Sequence, residues 1–291
     1  MRFQQFARLG AAFLVLALAL PAAAQQFATP RPSPNAKVQQ TVGLTDFSIT
    51  YSRPGVKGRV IWGELVPWNQ PWRTGANEPN QFTCTDDVMV EGQKLAAGTY
   101  SIVTIPTQES WTVAFSSQKD LQGSTNYDAK NDALRIMAKP VMSSESVERM
   151  QFTFDDVTDE TATLNLRWEK LSLPLKLAVD TKAKTLASAR AAIAAAKPDD
   201  WNTPYRAANW AHTAGLVPDE ATQWAQSAAK AKENFQTIGL LARMAQKTGD
   251  TKNAVTLMKK SITYGKADTT VAKEQVASNE KMLEEWTAKK K

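Results

Sequence analysis

A change of hydrophobic period near residue 177 constrains this chain more than any other feature. Before it, apolar residues recur at every second position: Val42, Leu44, Phe47, Ile49 and Tyr51 flank Gly43 and predict an antiparallel hairpin over 37–52. Similar runs occupy 81–90, 98–105, 111–115, 134–141, 150–157 and 161–168, several of them separated by turn signals such as Glu91-Gly92 and the acidic link 155–160. Each such strand hides one face and wets the other, so many of them at close spacing predict an all-β antiparallel sandwich, jelly-roll-like, over 37–177.

After the change the spacing is helical. Leu186, Ala189, Ile193 and Ala194 share one face, and Lys197-Pro198 ends that run. Further helical runs cover 205–214, 219–232, 235–247, 250–264 and 270–288. Ala221, Trp224 and Ala225 have counterparts 33 residues later in Ala254, Leu257 and Met258, and Ala208 and Ala211 have theirs in Leu241 and Met244. A period near 34 with small residues at the crossings is that of tetratricopeptide-like α-helical hairpins. The region 178–291 is therefore expected to be a helical scaffold or docking surface for a protein partner.

The beginning of the chain carries Arg2 and Arg8, an apolar run over 11–20, and Pro21-Ala22-Ala23-Ala24 before Gln25. This is the pattern of a signal peptide cleaved after Ala24, and the expected location is periplasmic or secreted. The apolar run is ten residues, short of the roughly 20 that span a membrane, and no second run follows. A bacterial lipid anchor would need cysteine at the cleavage point, whereas the single cysteine is Cys84. Residues 25–36, rich in proline and polar side chains, read as a flexible leader. The formal charge of +6 falls by two when Arg2 and Arg8 are removed, and the remaining bases are spread along the chain. Such a pattern argues against nucleic acid as a partner. One cysteine forms no internal disulfide; beside Phe82 in a strand-like run, Cys84 reads as a small buried hydrophobe.

Between the hairpin and the next strand lie 28 residues, 53–80. Loops beyond about 12–15 residues are usually functional or disordered. Ile61, Trp62, Leu65, Val66, Trp68 and Trp72 give this one too much apolar surface for disorder, and eight prolines and glycines set turns along it. It is predicted to fold as a compact cover on the sandwich, with a short helical turn near 61–66. Arg53, Lys57, Arg59 and Arg73 stand in it against Glu64 and Glu78. Guanidinium forks suit carboxylate, phosphate or sulfate, and aromatic faces stack on sugars, so one reading is a site for a small anionic or glycan-like ligand. The other is a structural plug, in which Arg53, Arg59 and Arg73 pair with Glu64 and Glu78 to pin the loop and the tryptophans close the open end of the sandwich.

The run VQQTVGLTDFSITYSRPGVKGRVIWGELVPWNQPWRTGANEP, followed by EGQKLAAGTYSIVTIPTQESWTVAFS, resembles the bacterial family of exported proteins catalogued as domain of unknown function 2911. The resemblance covers approximately 33–175, and DDWNTPYRAANWA and LARMAQKTGDTKNA resemble the helical tail carried by many members. It implies an exported, mostly β domain followed by tetratricopeptide-like helices, with no assigned activity. The family's motif falls on Tyr51, Ser52, Arg53, Pro54, Lys57, Gly58, Arg59, Trp62 and Gly63, then on 72–78. Pro79-Asn80-Gln81 departs from it, where members often carry threonines or other small residues. A motif so rich in donors adds weight to binding, with Tyr51, Arg53, Lys57, Arg59, Trp62, Trp72, Arg73, Asn77 and Glu78 as the ligand-binding candidates.

Familiar catalytic chemistries find little support. His212 is the only histidine and sits among helical apolar residues, where a packed or surface imidazole is expected. A zinc site of histidine and cysteine is excluded by count, and the acidic run at 155–160 lacks the glycine and ligand alternation of a calcium loop. No glycine-rich phosphate loop precedes a helix, so no metal and no cofactor is expected. The enzymatic alternative is a carboxylate-dependent hydrolase with Glu78 as acid or base, Glu64 or Asp46 as its partner, and Arg73 or Arg59 stabilising negative charge.

Overall fold

The structure is a computed structural model that describes residues 29–121 and 125–288; the expected signal peptide at 1–24 lies outside the described residues. Ten strands and six α-helices follow one another along it. The strands form two antiparallel sheets. One has the order β1 (Asn35–Val42), β2 (Thr45–Ser52), β3 (Gln81–Cys84), β6 (Gly98–Ile105), β7 (Trp111–Ser116) and β8 (Asp132–Ala138). The other has the order β5 (Gln93–Leu95), β4 (Val88–Val90), β10 (Thr161–Ala178) and β9 (Val141–Asp155). Inward side chains of both share a single buried core, with Phe47, Ile49, Phe82 and Phe115 from the first sheet and Phe152, Leu164, Leu166 and Trp168 from the second.

The predicted hairpin forms, with β1 and β2 in register from Asn35↔Ser52 to Val42↔Thr45. Three differences from the sequence reading have local causes. Residues 81–90 are two strands, because the chain crosses from one sheet to the other at Thr85, Asp86 and Asp87. Phe82 and Cys84 point inward before the crossing and Val88 and Val90 after it, so the alternation passes through without a phase break. Conversely, β10 runs on to Ala178 rather than stopping at Trp168. Ala162, Leu164, Leu166 and Trp168 are buried on even positions, Leu171, Leu173, Leu175 and Leu177 on odd ones, and the change occurs at an irregularity around Glu169, whose φ is +54°. Most of β9 before Met150 is exposed and therefore carries no alternation to read.

The helices are α1 (Thr181–Ala195), α2 (Asn202–Ala214), α3 (Pro218–Ala231), α4 (Phe235–Lys247), α5 (Thr251–Ala267) and α6 (Lys273–Ala288). Helix α4 starts 33 residues after α2, and α5 starts 33 after α3. Ala208, Ala211, Ala221 and Ala225 are buried between α2 and α3, and Phe235, Ala242, Met258 and Ile262 between α4 and α5. Gly265 is required where these helices meet, since a Cβ there would lie 2.6 Å from the Phe235 ring. None of the helices is long and apolar enough to cross a membrane, among the described residues.

Helix α1 is tied back to the strands. Asp180 caps its N-terminus by accepting from the Ala183 N–H at 2.8 Å. The Lys184 ammonium reaches both the Asp86 carboxylate and the Leu44 carbonyl, and Lys182 pairs with Glu160 at 3.2 Å. Gly43, with φ +57°, packs so closely against Thr181 and the Asp159 carbonyl that no side chain fits between them. The turn that begins the first sheet thus seats the first helix.

Candidate functional site

The segment 53–80 is ordered and holds three isolated bridges: Gly55 to Arg149 of β9, Trp62 to Val66 within the segment, and Trp72 to Thr104 of β6. Instead of a helical turn at 61–66, the Leu65 and Val66 N–H groups bond the Val60 and Ile61 carbonyls across five residues, and Gly63 donates to Val66 at 2.9 Å. Ile61 and Val66 are buried, which fixes the segment as the cover that its apolar residues predicted.

Its far end substitutes for a strand. β3 pairs with β6 only from Phe82↔Tyr100 to Cys84↔Gly98, which leaves Ile102 facing Asn80. The Asn80 carboxamide accepts from the Ile102 N–H at 2.8 Å and donates to the Ile102 carbonyl at 2.8 Å, as a peptide unit would. The same NH2 donates to the Arg73 carbonyl at 2.8 Å. Asn80 is 2% exposed, so these bonds satisfy backbone groups cut off from water.

The nine candidate residues fall into distinct settings. Tyr51 is buried, stacks edge-on against Phe152, and accepts from the Phe152 N–H at 3.0 Å. The Arg53 guanidinium donates to the Met150 carbonyl at 2.9 Å and to the Gln151 amide at 3.2 Å. Arg59 turns back on its own loop, donating to the Gly55 carbonyl at 2.6 Å and to Val56 at 3.1 Å. Lys57, at φ +50°, is held through its backbone N–H by Glu148 and leaves its side chain exposed. Asn77 donates to the Ser33 carbonyl at 3.1 Å and to Ser52.

Trp62 and Trp72 join a cluster with Trp111 and Trp168. Trp62 meets the other three edge-on at centroid distances of 5.0–5.9 Å, and Trp72 stacks on Trp168 at 5.8 Å. Among the described residues, three buried donors here have no hydrogen-bond partner: the indole N–H of Trp62, that of Trp168, and Arg73 Nε. Trp111, by contrast, donates to the Thr107 carbonyl at 3.1 Å.

Glu78 stands apart from these groups. It is exposed and pairs with Arg31 at 2.9 Å. Its own backbone N–H and the Arg31 guanidinium hold its carboxyl below the usual range. With Pro79 and Gln81 it separates two adjoining clefts on the outer side of the first sheet. One, of about 260 Å³, takes in Asn35, Thr50, Tyr51 and Ser52. The other, of about 370 Å³, is lined by Thr99, Ser101, Ser116, Ser117, Gln118 and Lys119. These hydroxyl and amide residues were not singled out from the sequence, although the outward parity of Thr99 and Ser101 on β6 was a signal for them. Among the described residues, Glu78 is the only carboxylate lining either cleft.

Among the described residues no group of three or more His, Cys, Asp or Glu is placed to hold a metal ion. Cys84 is buried, and burial pushes its thiol up from the ordinary range. The comparison with curated proteins and that with solved structures each found no match. Residues 33–177, from just before β1 to the penultimate residue of β10, match the model of the family described as "Protein of unknown function (DUF2911)".

Proposed function

We propose that this chain is an exported, non-catalytic binding protein, periplasmic or secreted after cleavage of the signal peptide behind Ala24. In this reading 37–177 is a jelly-roll-like β-sandwich that takes a small glycan-like ligand, and 178–291 is a tetratricopeptide-like scaffold that docks a protein partner. The observation that carries it is the pair of clefts meeting at Glu78, Pro79 and Gln81. Their lining of Thr, Ser, Asn and Gln side chains offers donors and acceptors in the mixture that a polyol recognises, with Arg31 and Lys119 adding positive charge.

The hydrolase alternative has less behind it. Glu78 is ion-paired, its pKa is lowered rather than raised toward neutrality, and among the described residues no second carboxylate lines its clefts. For the segment 53–80 itself, Arg53 and Arg59 bond backbone carbonyls rather than Glu64 or Glu78, which supports a pinned loop but, among the described residues, without the ion pairs expected of the plug. Thermal-shift screening against oligosaccharides, cell-wall fragments and inorganic anions tests the proposal, repeated with Gln81→Ala, with Thr99→Trp to fill the larger cleft, and with Arg73→Ala. A saccharide shift abolished by Gln81→Ala or Thr99→Trp supports the clefts; a shift that survives both but disappears in Arg73→Ala moves the site under the tryptophans.

A further inference from the structure

The helical region has a cavity whose lining differs from that of the clefts beside Glu78. It opens to about 300 Å³ where the C-terminal ends of α2 and α4 meet the start of α3. Its wall is mostly apolar, with Ala211, Leu216, Ala221 and Met244, and His212 and Lys247 complete the lining. One turn before Lys247 on α4 lies Arg243, whose guanidinium donates to the Asn209 side-chain carbonyl of α2 at 3.2 Å. The Lys247 ammonium donates to the His212 backbone carbonyl at 3.3 Å. The two pairs form a ladder along the α2–α4 seam, since 209 and 212 on α2 and 243 and 247 on α4 are each about one helical turn apart.

The cationic groups along this seam are Arg243 and Lys247, with His212 beside them, and the Tyr205 hydroxyl also bonds Arg243. Among the described residues no carboxylate forms an ion pair with Arg243, Lys247 or His212. Burial pushes Arg243 below its ordinary range, and burial, Lys247 and Arg243 together push His212 down. Arg243 is part-buried and already held by Asn209 and Tyr205. Lys247, by contrast, is exposed on the cavity's rim, an ammonium without a carboxylate partner among the described residues, beside an apolar wall. Such a rim suits an anion that carries an apolar part. We propose that the cavity binds a small monocarboxylate with an apolar tail, the tail lying among Leu216, Ala221 and Met244 and the carboxylate facing Lys247 and His212. The cavity is at the lower end of ligand-site volumes, which limits the tail to a short aliphatic or single-ring group.

The probe is hexanoate, with hexanamide as its uncharged counterpart, titrated by calorimetry at pH 7 into the protein and into Lys247→Gln. Because His212 is the only histidine in the sequence, its ring resonances report the site without assignment ambiguity. The expected result is saturable hexanoate binding, hexanamide at least fivefold weaker, loss of that preference in Lys247→Gln, and a hexanoate-induced rise in the His212 titration midpoint. Equal binding of the two probes, no saturable binding by either, a preference that survives Lys247→Gln, or His212 signals that do not respond would each overturn it. The wild-type comparison of the two probes decides the charge requirement independently of how the variant folds.

Discussion

Asn80→Ala probes the way the cover is built into the first sheet. The substitution removes the group that pairs both backbone atoms of Ile102 and the carbonyl of Arg73, all at 2.8 Å. Ile102 is 1% exposed, so water does not replace the lost partners. Each buried group left unpaired costs about 1–3 kcal/mol. With two such groups at Ile102 and a part-buried carbonyl at Arg73, the expected loss is about 4 kcal/mol. Asn80→Asp separates hydrogen bonding from volume, because it is isosteric yet sets a carboxylate oxygen against two carbonyls. That variant should be at least as unstable near pH 7, and a buried carboxyl has a raised pKa, so it should recover relative to wild type as falling pH protonates it into a donor. Urea unfolding gives the stability, and native-state hydrogen exchange at the Ile102 amide gives the local readout. At 1.4 kcal/mol per tenfold, exchange there should accelerate by about three orders of magnitude in Asn80→Ala. A loss below about 1 kcal/mol in both variants, with Ile102 exchange unchanged, would refute the assignment of Asn80 as the strand substitute.

Three further expectations rest on other contacts. Gly43→Ala should destabilise by about 2 kcal/mol or more, because alanine is strained at φ +57° and its Cβ would lie 2.6 Å from the Asp159 carbonyl; limited proteolysis should show α1 loosened from the strands. The Asp86 carboxyl is held low, first by the Lys184 ammonium and then by Thr85 and Thr45, so its contribution is present above the unfolded pKa of about 3.9 and is lost as pH falls through the folded value. Melting of wild type and Asp86→Asn should therefore differ by about 1 kcal/mol or less at pH 7 and converge toward pH 3, and a difference that grows in acid would contradict the pairing. Trp111→Phe should cost roughly 1 kcal/mol more than Trp62→Phe or Trp168→Phe in urea unfolding, since Trp111 alone of the three gives up a hydrogen bond.

Legibility from the sequence followed the kind of signal each element carries. Strand β2 and helix α3 were readable because their buried residues keep nearly one period along their length, whereas β6, β7 and α4 are buried on consecutive positions and were legible from their apolar content and the turn or cap signals around them. The end of β10 was not, since the irregularity at Glu169 moves the buried positions from even to odd. The sheet crossing at Thr85–Asp87 was hidden for the opposite reason, with the same parity on both sides. Within 53–80 the arginines and tryptophans stood out by type, whereas Asn80 did not, although it makes more buried bonds to the backbone than any of them.

The order of elements, the change of period near 177 and the ordered nature of the 53–80 cover were determined by the sequence itself, because each depends on which face of a local segment must leave water. A single histidine and a single cysteine likewise restrict the chemistry open to the chain, whatever its fold. Only the tertiary structure decided what the faces meet. It placed Arg53 on the carbonyl of Met150, 97 residues away, gathered Trp62 with Trp111 and Trp168, and opened the clefts beside Glu78 between strands distant in sequence. Periodicity records that a side chain is buried or exposed; its partner is set by the closure of long loops, which leaves no local pattern behind.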